Sequence, residues 1–258
     1  MKKGFYRFLA VTVLFVSMLM SFAVDAKGAQ TETLRYVVSY KWGIIHKDAG
    51  DATLTMKPHG QNVELMLTAR SRPWADRIFS VRDTLRSVTS GRDFTPLAYT
   101  KRAHEGGHYA FDEIKFTHTG AGASGHVRKT RVDKKGARTE TSFELAGSGK
   151  VFDMLSVFYY LRNVNYVELQ QGKTVTATIF SGSDKAERVS IKFVKEETVE
   201  TDKKTRRKAY LLKLGFTSDG RKKSSDDIRV WVSADGAHIP LLLIGSLPVG
   251  EVRVRLVS

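Results

Sequence analysis

Beyond residue 30, the chain alternates between apolar and polar residues along most of its length. The first clear run covers residues 34–42, where Leu34, Tyr36 and Val38 share one parity and Arg35 and Ser39 the other. Successive side chains of a β-strand point to opposite faces, so this period of two predicts strands with one buried face. The pattern returns in residues 52–57, 63–70, 188–193, 210–217, 228–233 and 252–256. Strands with a single apolar face favour an antiparallel sheet over a parallel α/β sheet.

Turn-forming sequences separate these runs. Residues rich in Gly, Asp, Ser and Lys occupy 134–136, 181–184, 218–220 and 234–236, as hairpin loops require. The runs and turns add up to about 12–14 strands, too many for one flat open sheet. We therefore predict an all-β fold with one short helix, built as an antiparallel barrel or a curled, wrapped sheet. No linker divides the chain, so residues 27–258 are expected to form a single β-barrel-like domain.

One segment breaks the alternation. Its apolar residues have the spacing of one helix face, and they are Met154, Leu155, Val157, Phe158 and Leu161. Asp153 stands where an N-cap is expected, and Asn163 stands where the helix would end. We predict a helix near residues 153–163, packed on the open end or the concave face of the sheet. Tyr159 and Tyr160 on this helix either plug the barrel or line a cavity.

The N-terminus has the layout of an export signal. Lys2, Lys3 and Arg7 precede a run without charge over residues 8–24, and Ala26 ends a short motif suited to cleavage. We predict a signal peptide over residues 1–26; the alternative is an uncleaved membrane anchor. No second apolar run approaches membrane length, so no transmembrane span is expected after cleavage. The mature protein is expected outside the cytoplasm.

The chain is strongly basic, with 42 Lys and Arg against 27 Asp and Glu and a formal charge of +15. Basic residues cluster in residues 128–138, 203–208 and 221–223. These clusters indicate either contact with an anionic component of the cell envelope or solvated hairpin tips that keep strand edges soluble. The export signal and the lack of interleaved aromatic residues disfavour nucleic acid.

Familiar catalytic and metal-binding patterns do not occur. The chain has no cysteine, no nucleophile elbow, no phosphate loop and no His-Glu-x-x-His motif. His104 and His108 flank two glycines, which predicts a hairpin loop rather than a metal site. The turn residues Asp219, Asp226, Asp227 and Asp235 are explained by turn chemistry better than by calcium. We therefore expect no enzyme, no metal and no cofactor. Asp83 lies between apolar neighbours and is either a structural inward-facing group or part of a polar pocket.

Several groups of residues resemble one family. They are residues 34–43 with Ala49-Gly50, residues 79–83, residues 153–162 with Gly172-Lys173, and residues 230–240. Their order resembles the exported bacterial proteins grouped as domain-of-unknown-function family 3108, over essentially the whole mature chain. The resemblance implies a Gram-negative periplasmic protein whose barrel or curled sheet wraps about a helix, similar to lipid-handling envelope folds. It implies no catalytic residues.

These observations favour a non-enzymatic periplasmic protein of the cell envelope that binds or carries a hydrophobic or amphiphilic anionic ligand such as a lipid. The candidate ligand-binding residues are Trp42, Arg72, Trp74, Lys101, Arg102, Tyr159 and Arg162. The alternative is an envelope scaffolding protein that docks on cell-wall polymer or a protein partner through its basic hairpins. A hydrolase with an unfamiliar site is the least favoured hypothesis. We expect a monomer.

Overall fold

Fifteen strands form a single sheet in the computed structural model, which describes residues 31–91, 93–202, 205–218, 222–246 and 250–258. The predicted signal peptide lies outside the described residues. The strands are β1 Glu32–Trp42, β2 Ile45–His59, β3 Asn62–Ser71, β4 Val81–Ser90, β5 Pro96–Glu105, β6 His108–Thr119, β7 Gly122–Val132, β8 Arg138–Ser148, β9 Val151–Asp153, β10 Val175–Phe180, β11 Glu187–Asp202, β12 Thr205–Ser218, β13 Lys222–Ser233, β14 Pro240–Ser246 and β15 Glu251–Leu256.

The sheet is an almost continuous antiparallel meander. Its order runs from β8 back to β1, then from β15 back to β9, so the first and last strands pair in the middle. Among the described strands, only β9 and β10 pair in parallel. The sheet curls until β10 meets the end of β8, where Thr178 donates its backbone N–H to Lys150 O at 2.9 Å and its Oγ1 hydroxyl to Ser148 O at 3.0 Å. The result is a nearly closed barrel.

The alternation read from the sequence defines the interior. Along β3, Val63, Leu65 and Leu67 are fully buried, while the residues between them are partly exposed. Opposite them on β2, Leu54 is also fully buried. The predicted all-β antiparallel fold is therefore confirmed. The sequence missed β9, because its three residues are all buried and show no alternation.

The predicted helix lies on the concave face of the sheet. It is α2, Ser156–Arg162, seven residues long and buried along its whole length. The N-cap position is Leu155 and not Asp153 as predicted, but Asp153 still satisfies the start of the helix: its Oδ1 accepts hydrogen bonds from the backbone N–H groups of Leu155 and Ser156, both at 2.7 Å. Asn163 is the C-cap, as predicted. The first turn around Met154 is not helical, so the helix is shorter than expected.

Two further helices were not visible in the sequence pattern. The first, α1, spans Pro73–Asp76 and begins with a proline in its first turn. The second, α3, spans Tyr166–Gln170, and the Asn165 side chain caps it by accepting a hydrogen bond from the Glu168 backbone at 3.2 Å. Both are shorter than two turns, which leaves too few residues to reveal a helical period. No helix in the described part of the chain has the length and hydropathy needed to cross a membrane.

The two ends of the barrel differ, and we name them by their contents. The helix end carries the loops at residues 91–95, 120–121, 149–150 and 234–239, and α2 and α3 lie toward it. The charged end carries the turns at residues 106–107, 133–137 and 181–186. Between them the core is continuous and apolar, with α2 as its central element.

Candidate functional site

A cavity of about 590 Å³ opens at the helix end. Its lining comes from three loops of the sheet, from β9 and from the end of α2, and comprises Asp93, Thr95, His118, Thr119, Gly122, Gly149, Lys150, Val151, Phe152, Tyr160 and Asn163. The cavity forms here because β9 turns inward to pair with β10. That inward turn leaves a gap beside the β4–β5 loop and the β6–β7 turn.

The cavity has one apolar wall made of two stacked rings. Phe152 on β9 and Tyr160 on α2 stack with their ring centroids 4.5 Å apart and their planes 22° apart. Val151 extends this wall and is 3% exposed. Aromatic rings held by both a strand and a helix form a rigid surface on which a hydrocarbon chain or a second ring can pack.

A lysine stands at the edge of this wall. Lys150 is exposed, and its Nζ lies 4.7 Å from the centroid of the Tyr160 ring. A cation over an aromatic face is held in place by the ring quadrupole while its remaining donors point to solvent. Lys150 therefore places a positive charge next to an apolar surface.

The opposite wall is polar. The His118 ring nitrogen Nε2 lies 2.6 Å from Pro96 O, and the imidazole stacks on Phe116 with centroids 5.9 Å apart. The Asp93 carboxylate accepts a hydrogen bond from the Thr95 backbone at 3.3 Å and another from the Ser90 hydroxyl. The Asp93 carboxylate is held by its own loop, and His118, at the end of β6, is held by the neighbouring strand β5. Within the described lining, no hydroxyl or carboxylate is paired with a histidine as a nucleophile–base pair would be.

The interior of the charged end has a different character. Inward-facing residues of neighbouring strands alternate in charge, since Lys101 on β5 is opposite Asp112 on β6, and Asp112 is opposite Lys129 on β7. Arg131 forms an ion pair with Asp112 at 2.5 Å, and Lys101 forms one with Glu105 at 3.6 Å. These charges neutralise one another inside the barrel.

Lys129 is held by the loop that covers the charged end. Its Nζ donates a hydrogen bond to the backbone oxygen of Gly182. Burial lowers the pKa of this lysine, while the Asp112 carboxylate acts to raise it. The β10–β11 loop thus contributes a backbone acceptor to the internal charge network.

Asp83 is the most deeply buried carboxyl of this network, at 3% exposure. Its Oδ1 accepts a hydrogen bond from the His104 backbone at 3.1 Å, while Oδ2 accepts none from the described residues. Burial and the neighbouring Glu105 carboxylate raise its pKa well above the usual range of an aspartate. Asp83 faces inward and is hydrogen-bonded, and the cavity at the helix end does not include it.

A sequence family covers nearly all of the described chain. Residues 35–257 match the family described as "Protein of unknown function (DUF3108)". The chain belongs to this family. No curated protein matches the chain in sequence.

A solved structure supports the fold of this DUF3108 member. The chain is similar to a crystal structure described as a beta-barrel-like protein of domain of unknown function DUF1849 from Brucella abortus. The TM-score is 0.57 at 10% sequence identity, with 88% of this chain and 95% of that chain covered. At this identity the likeness concerns the fold alone.

Two of the predicted ligand-binding residues lie on the outer wall of the charged end. The Arg72 guanidinium forms ion pairs with Asp51 at 2.6 Å and Asp48 at 3.2 Å. The Trp74 indole donates a hydrogen bond to Asp48 O at 2.8 Å, and Lys47 lies over its ring at 4.6 Å. Together they fix α1 against β2. Trp74, predicted as a ligand-binding residue, is thus part of an outer polar cluster.

The other predicted residues are scattered through the molecule. Lys101 belongs to the internal charge network, whereas Arg102 points outward over the Phe111 ring at 5.7 Å. Tyr159 is fully buried and packs on Phe94 with ring centroids 5.1 Å apart. The side chain of Trp42 lies outside the described residues.

Arg162 is buried rather than facing the cavity. Its Nε donates a hydrogen bond to Ala237 O at 3.0 Å, and its Nη1 lies 3.5 Å from Glu32 Oε2. Burial lowers its pKa to about 10, partly offset by the Glu32 carboxylate. Arg162 therefore ties the end of α2 to the β13–β14 loop. The six predicted residues whose side chains are described are not brought together in one site.

Sequence reasoning found one residue of the cavity and missed the others that shape it. Tyr160 was recognised from its place on the predicted helix, whereas Phe152, Lys150 and His118 were not selected. Phe152 stands directly before the capping Asp153, and that position could have suggested that it packs beside the helix. No sequence pattern links His118 to Lys150, because His118 lies near the end of β6, Lys150 lies in the β8–β9 turn, and only the curl of the sheet brings them together.

The basic clusters are less open than the sequence suggested. In the cluster at residues 128–138, Lys129 and Arg131 turn into the barrel, Arg128 lies 3.7 Å from Glu113, and Arg138 lies 2.5 Å from Glu140. In the second cluster, Arg207 pairs with Asp235 at 3.0 Å, while Lys203 and Lys204 lie outside the described residues. Arg221 and the side chains of Lys222 and Lys223 also lie outside them.

The residues considered for metal binding have structural roles where they are described. Gly106 and Gly107, between His104 and His108, have φ values of 54° and 85°, which form the predicted hairpin turn. Asp235 accepts hydrogen bonds from the Ser233 hydroxyl at 2.5 Å and the Ala237 backbone at 3.1 Å. Asp219 and the side chains of Asp226 and Asp227 lie outside the described residues. Among described residues, no group of three His, Asp or Glu has a metal-binding arrangement.

Proposed function

We propose that this protein is an exported, non-enzymatic binding protein of the Gram-negative cell envelope, acting in the periplasm. Its ligand is a hydrophobic or amphiphilic molecule with an anionic group, such as a lipid with one acyl chain. The ligand occupies the cavity at the helix end of the barrel. Signal-peptide cleavage after Ala26 and periplasmic location are parts of this proposal that rest on the sequence.

The observation that carries the proposal is the combination of an apolar ring wall with an adjacent cation. The cavity volume of about 590 Å³ falls in the range of small-molecule sites, roughly 300–1,000 Å³. The stacked rings of Phe152 and Tyr160 offer apolar contact, and Lys150 Nζ stands 4.7 Å from the centroid of the Tyr160 ring. An amphiphile with a negative headgroup matches this arrangement.

We place the site at the rim because α2 fills the barrel interior at the helix end. All residues of α2 are buried, and Ser156 and Tyr159 are fully so. An acyl chain within the core would have to displace this helix and its capped start at Asp153. A ligand at the rim needs no such displacement.

The chemistry of the lining favours binding over catalysis. His118 is engaged with a backbone oxygen and an aromatic ring, and the Asp93 carboxylate is engaged with its own loop. A hydrolase needs a nucleophile and a base within hydrogen-bond reach of each other. The groups that line this cavity instead suit recognition of a headgroup.

The alternative of docking on cell-wall polymer through basic hairpins has weaker support. Four basic residues of the cluster at residues 128–138 already have carboxylate or backbone partners, and two of these point into the barrel. Lys134 and Lys135 remain as exposed cations at the hairpin tip. Two lysines offer much less positive charge for binding an anionic polymer than the whole cluster would.

The first experiment is native mass spectrometry of the mature protein purified from a periplasmic extract at high salt, followed by organic extraction. We expect a bound species that extracts as a lipid or a related amphiphile, because a ligand held by apolar contact survives high salt. Ligand-free protein that also fails to bind a single-chain anionic phospholipid, lysophosphatidylglycerol, would contradict the proposal.

A blocking variant tests the location of the site. Asn163 is an exposed C-cap residue that lines the cavity, so Asn163→Trp places a large ring in it. We expect the affinity for lysophosphatidylglycerol to fall by about tenfold or more, equivalent to 1.4 kcal/mol. The control is Val167→Trp, an equally bulky change at a residue of α3 that is 64% exposed and does not line the cavity. Equal affinities for the two variants would place the ligand elsewhere.

A charge variant tests the headgroup contact. Lys150→Gln should weaken binding of the same lipid by about twofold to fivefold, because an exposed charge contact contributes up to about 1 kcal/mol. Lys135→Gln removes the same charge at the opposite end of the barrel and serves as the control. The difference between them should shrink at high salt. Identical behaviour of the two variants would remove Lys150 from the site.

A further inference from the structure

One edge of the sheet is long and unpaired in the described part of the chain. Strand β8, Arg138–Ser148, pairs only with β7 and ends the strand order on that side. Thr178 contacts it at its last residue, Ser148, and Gly147 packs near the same side chain. Residues 138–142 are all exposed, so the first half of β8 forms a free edge.

The direction of the backbone groups along this edge follows from the hydrogen bonds that flank it. Gly149 donates its N–H to Ala121 O, and Asp133 donates its N–H to Ala137 O. Both bonds join residues in register with the β7–β8 ladder, so odd-numbered residues of β8 bond to β7. Even-numbered residues therefore direct their N–H and C=O groups outward. Ser148 follows this rule, since its backbone oxygen points away from β7 and accepts a hydrogen bond from the Thr178 hydroxyl.

This edge lacks the usual features that prevent strand pairing. Proteins protect free edges with proline, bulges or inward-pointing charges. Strand β8 has no proline, and its register with β7 is unbroken over eleven residues. Its inward-facing residues carry no charge, and they are Thr139, Thr141, Phe143 and Leu145. Its charged residues, Arg138, Glu140 and Glu144, face outward and are of mixed sign, so this regular edge is suited to pairing with a strand of complementary charge.

The outward-facing residues of β8 are complementary to themselves. With a two-fold axis at Thr141, Arg138 stands opposite Glu144 of a second copy, and Glu140 stands opposite Ser142. With the axis at residue 140, Glu140 stands opposite Glu140 of the second copy. With the axis at residue 142, Glu140 stands opposite Glu144 of the second copy. Like charges directly opposite are unfavourable, whereas opposite charges are favourable. Among these neighbouring registers, only the one centred on Thr141 pairs Arg with Glu and avoids paired glutamates.

We propose that two copies of this protein associate by antiparallel pairing of their β8 strands about a two-fold axis at Thr141. The pairing joins the two barrels into one continuous sheet through an isologous contact. Arg138 and Glu144 exchange their present partners, Glu140 and His126, for each other across the axis. This state departs from the monomer expected from the sequence. The contact involves the charged end and leaves the cavity at the helix end open.

Sedimentation analysis of the mature chain at 0.15 M salt tests the association directly. Because the contact is a single pair of strands, we expect a dimer that dissociates in the micromolar range. Ser142→Pro removes an N–H that points outward and leaves the bonds to β7 intact, so it should yield a folded monomer. Circular dichroism checks that fold. A wild-type monomer at 100 μM would overturn the proposal.

A disulfide trap tests the register. The natural chain has no cysteine, so a single introduced thiol has only its copy as a partner. In the proposed pairing Thr141 faces itself in a non-hydrogen-bonded pair, with Cα atoms about 4.5 Å apart, within the range of a disulfide. Thr141→Cys should therefore cross-link under mild oxidation. Thr139→Cys, on the same face, should not, because the two residues 139 lie about 14 Å apart.

A charge exchange distinguishes self-pairing from pairing with another protein. Arg138→Glu should weaken the dimer, and adding Glu144→Arg in the same chain should restore it, because the opposite charges face each other again. Cross-linking of Thr139→Cys as readily as Thr141→Cys, or failure of the double variant to recover, would rule out the two-fold register at Thr141.

Discussion

Each half of the barrel interior contains a deeply buried aspartate, and the two aspartates differ in how many hydrogen bonds they accept. Near α2, Asp153 is fully buried, and it accepts hydrogen bonds from the Ser87 hydroxyl at 2.6 Å and from two backbone N–H groups at 2.7 Å. At the charged end, Asp83 is almost as buried, yet it accepts a single hydrogen bond, from the His104 backbone at 3.1 Å.

The pKa values follow from this difference. Burial raises the pKa of Asp153, but the Ser87 hydroxyl and the backbone donors hold it to about 6. Burial raises the pKa of Asp83 further, since the Glu105 carboxylate opposes ionisation and Lys101 offsets this only in part. Buried carboxylates are tolerable where donors are supplied. The helix half supplies donors to Asp153 and so holds α2 in place, whereas in the charged half burial and Glu105 raise the pKa of Asp83 to about 8.

The largest effect is expected at Asp153. Asp153→Ala leaves the Ser87 hydroxyl and the N–H groups of Leu155 and Ser156 without their acceptor, so unfolding free energy should fall by about 3 kcal/mol or more. Urea denaturation at pH 7 measures it. Ser87→Ala removes one of these bonds and should cost about 1–2 kcal/mol. If both variants lost the same stability, the carboxylate would not be the anchor of α2.

The second effect depends on pH and concerns Asp83. An aspartate whose pKa is raised on folding keeps its proton in the folded state while the unfolded state releases it, so stability is lost as pH rises above the unfolded pKa. Asp83→Asn removes this titration and keeps the acceptor for His104. We expect a gain of about 1–2 kcal/mol in unfolding free energy at pH 8 and little change near pH 4.

Denaturation of the wild type and of Asp83→Asn across this pH range shows whether the substitution raises or lowers the unfolding free energy. The Asp83 carboxyl is surrounded by Lys101 and Glu105 on β5, and Glu105 shares its environment, so the transition should be broad. A variant less stable than wild type at pH 8 would mean that Asp83 is ionised and paired in the folded protein. The contrast with Asp153 would then disappear.

The smallest effect is expected on the outer wall. Arg72 has two carboxylate partners, but its side chain is 34% exposed and those of Asp48 and Asp51 are 42% and 55% exposed. Arg72→Ala should lower the unfolding free energy by less than about 1 kcal/mol. Arg102→Ala, a second exposed arginine, is the matched comparison. A loss above about 2 kcal/mol at Arg72 would show that charges outside the barrel matter as much as those within.

Much of the fold was visible in the sequence because β-strands with one buried face show apolar and polar residues that alternate with a period of two. Leu54, Leu65 and Val230 were placed on buried faces from this pattern, and the structure buries each of them completely. The capping role of Asp153 was also visible, since a cap acts over two or three residues of chain. Local interactions of this kind need no knowledge of the rest of the molecule.

The cavity was not predictable in the same way. His118 lies at the end of β6 and Lys150 in the β8–β9 turn, and Phe152 joins them only because β9 pairs in parallel with β10 inside the curl. Conversely, Arg72 and Trp74 follow the end of the alternating run at residues 63–70, but that break in the pattern belongs to α1 on the outer wall. A break in a local pattern marks a change of structure without saying what that structure faces.

The sequence by itself determined the strands, their inward faces, the central helix and the lack of cysteine chemistry, because each depends on neighbouring residues or on composition. The tertiary structure alone decided which turns border the cavity, which lysines and arginines point inward, and that β8 is left as a free edge. Those properties depend on the curl and register of a fifteen-stranded sheet. Register is set by the combined packing of many strands, and no single segment of the chain encodes it.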